Sequence, residues 1–337
     1  MSAPNHAPLD VIVVGAGIGG LAATVALRAI GANVEIHEQA RTLARVGAGL
    51  QLAPNATATL RGLGLLDRVR PTRFGRPPGA ASMPSTAPST CRSRSETTSS
   101  VSTDLPTCTC TRAICTGADG VHSMVRESLF GATEATFSGL VAYRGVAPRD
   151  RVAAVPPIAA KWCGGDRHLV HYWVSAGREL NFVAAVPEPS WSEESWAAEG
   201  RTADLLEALE GFVEPARHVA GAASTLMRSA LYDRDPLPVW GEGRVTLLGD
   251  ACHPMLPFMA QGAGMALEDA AFLARCLDGI TTDGVKDALT RYAKARIPRT
   301  SAVQGGSRAN GFLRKTNSGL STEAVYRYDP WQADLPG

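Results

Sequence analysis

A glycine-rich turn near the amino terminus is the feature that most restricts the fold. A short strand-like run ends at Val14 and is followed at once by Gly15-x-Gly17-x-x-Gly20, after which a helical pattern continues to Ile30. A second strand-like run follows the helix. Strand, glycine turn, helix and strand in this order predict the opening βαβ unit of a parallel sheet. We therefore predict an α/β fold.

The three glycines have separate physical roles. Gly15 permits the tight turn, Gly17 lets a pyrophosphate approach the backbone, and Gly20 lets the helix pack closely on the strand. Glu38 ends the second strand about 20 residues further on, where a carboxylate accepts hydrogen bonds from a ribose hydroxyl. The glycine motif alone is a weak signal, because such turns also occur for structural reasons. The preceding strand and the following acid make it predict a bound dinucleotide.

A second pattern of this kind lies in the carboxy-terminal half. A strand-like run over residues 245–248 delivers Gly249 and Asp250 to a strand end, and a proline-bearing loop follows. The first N–H groups of a helix have no partner within the helix, so they favour an anion. The stretch therefore predicts one wall of a cofactor site. The helix after the loop opens with the small residues Gly262, Ala263 and Gly264.

Together the two patterns resemble the single-component FAD-dependent aromatic hydroxylases, which act on salicylate, hydroxybenzoates and hydroxypyridine carboxylates. The resemblance covers residues 8–70 and 117–332. It implies a Rossmann-like FAD-binding domain with an inserted mixed or antiparallel β-sheet domain for the substrate. It also implies the reaction. NADH or NADPH, a transient co-substrate, reduces FAD, and one oxygen atom of O2 is transferred to the ring of a small aromatic acid.

The resemblance assigns cofactor-binding roles to the carboxy-terminal pattern. Asp250 would accept hydrogen bonds from the ribityl chain, and Pro254 and Pro257 would lie beside the isoalloxazine ring. The N–H groups of the small residues that open the helix would face the anionic edge of the reduced flavin.

Two further motifs complete the expected FAD site. Arg45 lies in a glycine-rich stretch that resembles the family segment passing under the flavin, although an ordinary loop is the alternative interpretation. Asp119-Gly120, with Ser123 and Arg126 at the family spacing, resembles the motif whose Asp holds the pyrophosphate side of FAD. The Arg of that motif secures the turn.

Strand-like runs in the middle of the chain resemble the sheet that covers the substrate in this family. Because side chains alternate along a strand, His168 and Tyr172 share one face. In the hydroxynicotinate-oxidising members a His and a Tyr at this spacing contact the substrate. His168, Tyr172 and the flavin-side Pro254 are therefore the candidate catalytic residues. Structural half-burial of His168 and Tyr172 is an equally good interpretation. Phe258 is more typical of the salicylate-oxidising members, so the substrate stays open.

The expected domains are interrupted by a segment of unusual composition, which is rich in Ser, Thr, Pro, Arg and Cys and has almost no aliphatic periodicity. Such composition is typical of a linker or a disordered segment. The expected parts are a discontinuous FAD-binding domain over 8–70, 117–135 and 241–300, the aberrant segment over 71–116, the substrate domain over 136–240 and a tail over 301–337.

In the resembling family the region corresponding to this segment is longer and completes the FAD domain. Reading residues 101–115 back into GC-rich codons and shifting by two nucleotides gives Val-His-Arg-Pro-Ala-Asp-Leu, which matches a family motif near the flavin. We therefore interpret the middle of the FAD domain as shortened and frameshifted, either by mutation or by an error in the gene model.

Charge and cysteine content argue against several other classes of protein. A net charge of +1 with interspersed signs gives no field that would attract nucleic acid or a membrane. We expect neither a signal peptide nor a membrane span. The 7 cysteines are scattered, which favours a reducing cytoplasm, and Cys108-x-Cys110 lacks the spacing of a zinc site. We expect a cytoplasmic monomer or homodimer without metal.

Three hypotheses about function stay open at this point. The first is an active aromatic hydroxylase. The second is an inactive remnant, because loss of the middle of the FAD domain would leave sheet edges unpaired and apolar faces exposed. The third is a flavin-binding protein that oxidises NAD(P)H and releases hydrogen peroxide without hydroxylating a substrate.

Overall fold

Two β-sheets form the framework of the protein, and helices pack against both. The computed structural model describes residues 7–41, 49–69, 113–191, 198–309 and 321–337. The strands are β1 (Asp10–Val14), β2 (Asn33–His37), β3 (Ile114–Gly117), β4 (Thr136–Pro148), β5 (Ala160–Gly164), β6 (Arg167–Val174), β7 (Glu179–Pro187), β8 (Ala198–Glu199), β9 (Thr225–Asp233), β10 (Gly241–Glu242) and β11 (Val245–Leu247). The helices are α1 (Ile18–Ala29), α2 (Pro54–Gly62), α3 (Leu66–Val69), α4 (Met124–Phe130), α5 (Thr202–Ala208), α6 (Glu214–Gly221), α7 (Gly262–Leu277), α8 (Val285–Ala309) and α9 (Thr322–Tyr326).

The first sheet has the strand order β10-β11-β3-β1-β2. Strands β11, β3, β1 and β2 run parallel, and the short β10 pairs antiparallel at one edge. Because parallel strands end at the same edge of a sheet, the residues that follow β1, β3 and β11 are brought together. These are the glycine turn, the Asp-Gly turn and the Gly-Asp loop of the sequence patterns.

β3 begins inside the segment that composition marks as low-complexity. The composition of the segment predicts an irregular conformation for residues 114–116. In the structure these residues form a central strand between β1 and β11, and Ile114 is fully buried. Four residues are too few for periodicity to reveal, and only the pairing with two neighbours makes the strand stable. The rest of that segment, over 71–112, and Arg45 lie outside the described residues.

The second sheet is antiparallel, with the order β5-β6-β7-β4-β9-β8. The predicted alternation along β6 is observed. His168 and Tyr172 face a large cavity, whereas Leu169 and Trp173 point to the opposite side and join an apolar core. Helices α5 and α6 cover that core with Leu205, Leu209 and Val219. One face of the sheet is therefore left for a ligand.

A larger core joins the parallel sheet to its helices. α7 runs through this core and packs against α1, α2 and α8. Trp240, Phe272 and Tyr292 are among its largest fully buried side chains. Among the residues that the structure describes, no helix combines the length and the apolar character needed to cross a membrane.

α1 begins earlier than the sequence pattern indicated, and Gly20 lies within its first turn. A Cβ atom on Gly20 would lie 2.0 Å from the carbonyl oxygen of Gly15, whereas a Cβ atom on Gly17 would meet nothing within 4 Å. Close packing therefore requires a glycine at position 20, whereas the space beside Gly17 is open.

We expect Gly20→Ala to lower the free energy of unfolding by about 1–3 kcal/mol, because the backbone of the turn must move away from the added methyl group. Gly17→Ala is the matched control and should change stability by no more than about 0.5 kcal/mol. Urea denaturation of the FAD-free proteins, followed by circular dichroism, measures both. Equal losses in the two variants would contradict this account of the turn.

Candidate active site

Three sequence motifs meet at the carboxyl edge of the parallel sheet. A Cβ atom added to Gly15 would lie 2.4 Å from the Ala118 carbonyl oxygen, so the glycine turn packs directly on the Asp-Gly turn. A Cβ atom on Gly19 would lie 2.5 Å from Leu248, at the end of β11. The tertiary structure therefore joins motifs that are separated by more than a hundred residues in the chain.

Glu38 lies at the open side of the glycine turn. Its carboxylate accepts hydrogen bonds from the backbone N–H groups of Ala40, at 2.8 Å, and Ala16, at 2.7 Å. The bond from Ala40 and then the bond from Ala16 lower the pKa of Glu38, outweighing its partial burial. A charged carboxylate therefore lies beside the free space at Gly17, as a ribose-binding residue requires.

The Asp-Gly turn leads into α4. Ser123 caps this helix, and its hydroxyl accepts from the Arg126 N–H at 2.9 Å. Asp119 Oδ2 accepts from the Val125 N–H at 3.1 Å, while its other oxygen is buried with no hydrogen-bond partner in the part of the chain described. Gly120 has φ +82°, a conformation that favours glycine.

Arg126 is buried and does not point into free space. Its guanidinium donates to the carbonyl of Ala251 at 3.0 Å and to the carbonyl of Val121 at 2.9 Å. Burial lowers its pKa, against the attraction of Asp119. Arg126 thus connects α4 to the loop after β11, in keeping with a residue that secures the turn.

Asp250 faces the start of α7. One of its oxygens lies 3.8 Å from the position of a Cβ atom on Gly262. Burial raises the pKa of Asp250, and the interaction with His253 opposes this rise. The side chain is exposed along one side, where it lines the cavity.

The opening turn of α7 has N–H groups without a partner among the residues that the structure describes. The first backbone bond of the helix runs from Met265 N–H to the Gln261 carbonyl, at 2.8 Å. The three preceding N–H groups therefore lack partners within the helix, and the helix has no side-chain cap. These groups belong to Gly262, Ala263 and Gly264, the residues expected to face a flavin.

A buried charged network supports this wall of the site, and the sequence patterns did not reveal it. Asp269, fully buried in α7, accepts hydrogen bonds from the Gly249 N–H at 3.0 Å, from His253 at 2.6 Å and from Arg296 at 2.7 Å. Burial works to raise the pKa of Asp269, but His253 and Arg296 outweigh it, and the pKa is lowered. Asp269 is therefore a buried carboxylate whose negative charge is compensated by these three hydrogen-bond donors.

The network continues through the neighbouring residue. Glu268, also fully buried, accepts from Arg296 at 2.8 Å, from Arg299 at 2.7 Å and from Asn55 at 2.7 Å. Asn55 in turn donates to Gln261 at 2.8 Å. One signal in the sequence could have revealed the network, namely two adjacent acids inside an otherwise apolar helix.

Cys252, His253 and Asp269 lie close enough together to share a metal ion. The Asp269 carboxylate already accepts from Gly249, His253 and Arg296, and burial raises the pKa of the Cys252 thiol. A guanidinium and a neutral thiol are poor surroundings for a cation. We therefore interpret the group as part of the ion-pair network.

The cavity lies between the second sheet and the loop that precedes α7, and its volume is about 1020 Å³. That volume exceeds what one small ring requires. From the sheet, the lining includes Arg144, Val146, His168, Val170, Tyr172 and Val183. From the loop and α7, it includes Asp250, Pro257, Phe258, Ala260, Gly262 and Ala263.

Of the residues proposed for chemistry, His168 and Tyr172 line the cavity but Pro254 does not. Pro254 is buried behind the loop, and its carbonyl accepts from the Gln304 side chain at 2.8 Å. This bond turns Pro254 away from the cavity, so Pro257 is the proline of the loop that faces the cavity.

His168 is 4% exposed, and its ring meets the edge of Phe258 with the centroids 5.4 Å apart. Burial, assisted by Lys161, lowers its pKa to about 4. At neutral pH the imidazole is therefore uncharged, and its Nδ1 has no partner in the described structure. A neutral ring nitrogen in a cavity can accept a hydrogen bond from a ligand hydroxyl.

Tyr172 lies at the other end of the same face. Its hydroxyl donates to the Gly49 carbonyl at 3.1 Å, and burial raises its pKa to about 12. Gly49, Leu50 and Gln51 line the cavity and follow the stretch that contains Arg45. Tyr172 therefore connects the sheet to the segment expected to pass under a flavin.

Comparison with known sequences points to one group of enzymes. Residues 107–306 match the family described as an FAD binding domain. The chain is 33% identical to a 6-hydroxynicotinate 3-monooxygenase of Bordetella bronchiseptica over 96% of each chain. It is also 33% identical to a 3-hydroxybenzoate 6-hydroxylase of Polaromonas naphthalenivorans, over 98% of this chain and 94% of that protein. The first alignment runs over 375 positions, so that relative contains segments that this chain lacks.

Solved structures share the fold. A salicylate hydroxylase in complex with its substrate superposes with a TM-score of 0.72 at 24% identity, covering 97% of this chain and 96% of the other. The tetrameric form of 2-methyl-3-hydroxypyridine-5-carboxylic acid oxygenase has a TM-score of 0.72 at 23% identity, covering 97% and 98%.

We expect Asp269→Asn to lower the free energy of unfolding by about 3–5 kcal/mol, because it leaves the buried Arg296 without its full counter-charge. Asp278→Asn, an exposed position just after the same helix, is the matched control and should change stability by no more than about 0.5 kcal/mol. Urea denaturation measures both variants. Similar stabilities for the two variants would show that the network contributes little.

The lowered pKa of His168 predicts an acid-sensitive stability. The pKa of His168 is 6.5 in the unfolded chain, its ordinary value, and about 4 in the folded chain. Stability is therefore complete above pH 6.5 and falls as the pH decreases toward 4, by roughly 1–3 kcal/mol from this residue. In His168→Asn the slope of unfolding free energy against pH should be smaller within that window. An unchanged slope in His168→Asn would contradict this account.

Proposed function

The chain belongs to the family of FAD-dependent aromatic hydroxylases, and from that premise we propose that it hydroxylates a small hydroxylated aromatic acid with NADH or NADPH as reductant. Membership of the family confirms the predicted resemblance, the α/β fold class, the assignment as a flavoprotein monooxygenase and FAD as the cofactor. Substrate, reductant and the roles of individual residues belong to the proposal.

One observation carries the proposal. A cavity of about 1020 Å³ has the carboxy-terminal cofactor motif along one wall, with Asp250, Gly262 and Ala263, and a sheet face of mixed apolar and polar residues along the other. Such a cavity accommodates a flavin ring and a second aromatic ring side by side. The catalytic candidates His168 and Tyr172 lie on the sheet wall.

The residues present fit FAD. Open space at Gly17 suits the pyrophosphate of FAD, and the charged Glu38 suits the ribose of its adenosine. Asp250 suits the ribityl hydroxyls, and the free N–H groups at the start of α7 suit the electron-rich edge of the ring. When bound, FAD supplies the redox chemistry with NAD(P)H and O2.

The protein itself contributes binding, orientation and proton handling. His168 is neutral and buried, so a ring nitrogen can accept a hydrogen bond from a ring hydroxyl and thereby orient the substrate and raise the electron density of its ring. Phe258, Val170 and Val183 restrict water in the same region. The hydroxyl of Tyr172 stays protonated and donates to the Gly49 carbonyl, so Tyr172 is better suited to hold the wall of the cavity than to act as a base.

Two kinds of substrate are supported by the relatives, hydroxypyridine carboxylates and hydroxybenzoates. The proposed class is therefore an aromatic ring that carries both a hydroxyl and a carboxylate. Hydroxylation would be accompanied by decarboxylation where the attacked carbon bears the carboxylate. The domain boundaries given above complete this proposal, with residues 136–240 as the substrate domain.

A second candidate function follows from one observation. The 6-hydroxynicotinate-oxidising relative contains segments that this chain lacks. A site that closes incompletely would consume NAD(P)H and release hydrogen peroxide rather than hydroxylated product. If the missing segments prevent activity altogether, the protein is an inactive remnant.

Flavin retention tests the proposed cofactor site. We expect the purified protein to bind FAD with saturable quenching of flavin fluorescence, and Gly17→Ala to raise the dissociation constant at least about tenfold, because the methyl group occupies the space of the pyrophosphate. Gly305→Ala adds a methyl group to open space in α8 and should leave FAD affinity unchanged. Wild-type protein that binds no FAD would identify an inactive remnant.

Product analysis separates the two active functions. With FAD, NADH or NADPH, and either salicylate or 6-hydroxynicotinate, we expect hydroxylated product to account for most of the reductant consumed. Chromatography of the product and a peroxide assay on the same sample give the ratio. Peroxide in place of product, with FAD bound, would favour the oxidase.

A further inference from the structure

A second cavity, with a volume of about 350 Å³, adjoins the active cavity, and Phe258 lies between the two. Among the residues that the structure describes, Phe258 alone lines both cavities. Leu140 and Leu256 line the second cavity and pack with Phe258 in one apolar cluster. The rest of its lining is polar and consists of Thr136, Ser138, Asp233, Arg234, Asp235 and Arg308.

The same face of β4 passes from one cavity to the other beneath Phe258. Because side chains alternate along a strand, Leu140, Ala142 and Arg144 share this face. Arg144 lines the active cavity and Leu140 lines the second one, whereas Ala142 lies between them, fully buried in the cluster with Phe258. The rise of a strand separates Leu140 from Arg144 by about 13 Å. The partition between the cavities is therefore one aromatic side chain thick.

Small side chains form the floor under this partition. Ala142 is opposite Ala185 of β7 in the strand pairing, and both alanines pack with Phe258. A methyl group projects much less from a sheet than a phenyl ring does, so neither alanine could close the gap. Loss of the Phe258 ring would therefore join the two cavities over a shared floor.

Phe258 also lies where the ring of a substrate is expected. Its ring meets the edge of His168 with the centroids 5.4 Å apart, and His168 is opposite Ala185 in the sheet. A substrate whose hydroxyl reaches His168 therefore places its own ring against Phe258. A further ring fused on that side would overlap the Phe258 side chain.

The outer end of the second cavity has balanced charges. Two arginines and two aspartates line it, and Arg308 forms ion pairs with Asp233 and, at 3.0 Å, with Asp235. The inner end carries the two leucines that pack with Phe258. An apolar inner end without excess charge suits a hydrocarbon ring better than a second ionic group.

We propose that Phe258 limits how far an aromatic acid can extend on its His168 side, and so excludes acids with a second fused ring there. The second cavity accepts that ring when Phe258 is replaced by a small residue. The substrate class rests on the function proposed above, whereas the partition rests on the shared lining and the packing of Phe258.

The test compares the binding of acids with one ring and with two fused rings to FAD-loaded protein. Salicylate, 1-hydroxy-2-naphthoate and 3-hydroxy-2-naphthoate carry the same adjacent hydroxyl and carboxylate, and isothermal titration calorimetry gives their dissociation constants. We expect wild-type protein to bind at least one naphthoate at least about tenfold more weakly than salicylate, because its second ring overlaps Phe258. Phe258→Ala should bind that naphthoate at least about tenfold more tightly than wild-type protein does, since the added ring is removed from water.

Two further variants separate an opening of the second cavity from a general loosening of the site. Met259→Ala is the matched control, because Met259 is the next residue, is also buried and lines the active cavity but not the second one. It should gain no naphthoate affinity. Adding Leu140→Phe to Phe258→Ala fills the second cavity with a ring, so the gain should be lost.

Phe258→Leu covers the case in which Phe258→Ala does not fold. Leucine keeps an apolar side chain in the cluster but is shorter than the ring, so the gain should be smaller and still measurable. The proposal is overturned if wild-type protein binds both naphthoates as tightly as salicylate or if neither Phe258 variant gains affinity. It is also overturned if Met259→Ala, or the double variant, gains as much as Phe258→Ala.

Calorimetry and product analysis fail independently. If Phe258→Ala gains the naphthoate but wild-type protein forms no hydroxylated product, the proposed function is wrong and the partition stands. If product forms and neither Phe258 variant gains affinity, the function stands and the partition is wrong. No binding of any acid to any of these proteins would contradict both.

Discussion

The buried carboxylate of Asp269 is the interaction on which the cofactor side of the site depends. It accepts hydrogen bonds from the backbone of Gly249, from His253 and from Arg296, which belong to a strand end, a loop and a distant helix. A buried charge is stable only when its partners are in place. The position of one anion therefore determines how the loop that carries Asp250 meets the first turn of α7.

The two walls of the cavity differ in their secondary structure and in the charged residues that they carry. One wall consists of turns and a helix end that the ion-pair network holds, and Asp250 faces the cavity from it. The other wall is a continuous antiparallel sheet, from which Arg144 faces the cavity.

Much of the fold could be predicted because the relevant signals are local. The glycine turn, the alternation of β6 and the small residues that open α7 each depend on a few consecutive residues. Contacts between distant residues could not be predicted in this way. Asp269 pairs with a helix that follows it by nearly thirty positions, and Pro254 turns inward because Gln304 binds its carbonyl. Arg144 was missed because one charge in a strand has no distinctive pattern of its own.

The sequence by itself determined the βαβ opening, the two cofactor motifs and the face of β6 that carries His168 and Tyr172. These follow from backbone stereochemistry and side-chain periodicity, which act over short distances along the chain. Only the tertiary structure decided that β3 is a central strand, that Pro257 rather than Pro254 faces the cavity, and that Arg144 lines the same cavity. Burial and charge pairing decide such features, and both arise only when distant segments pack together.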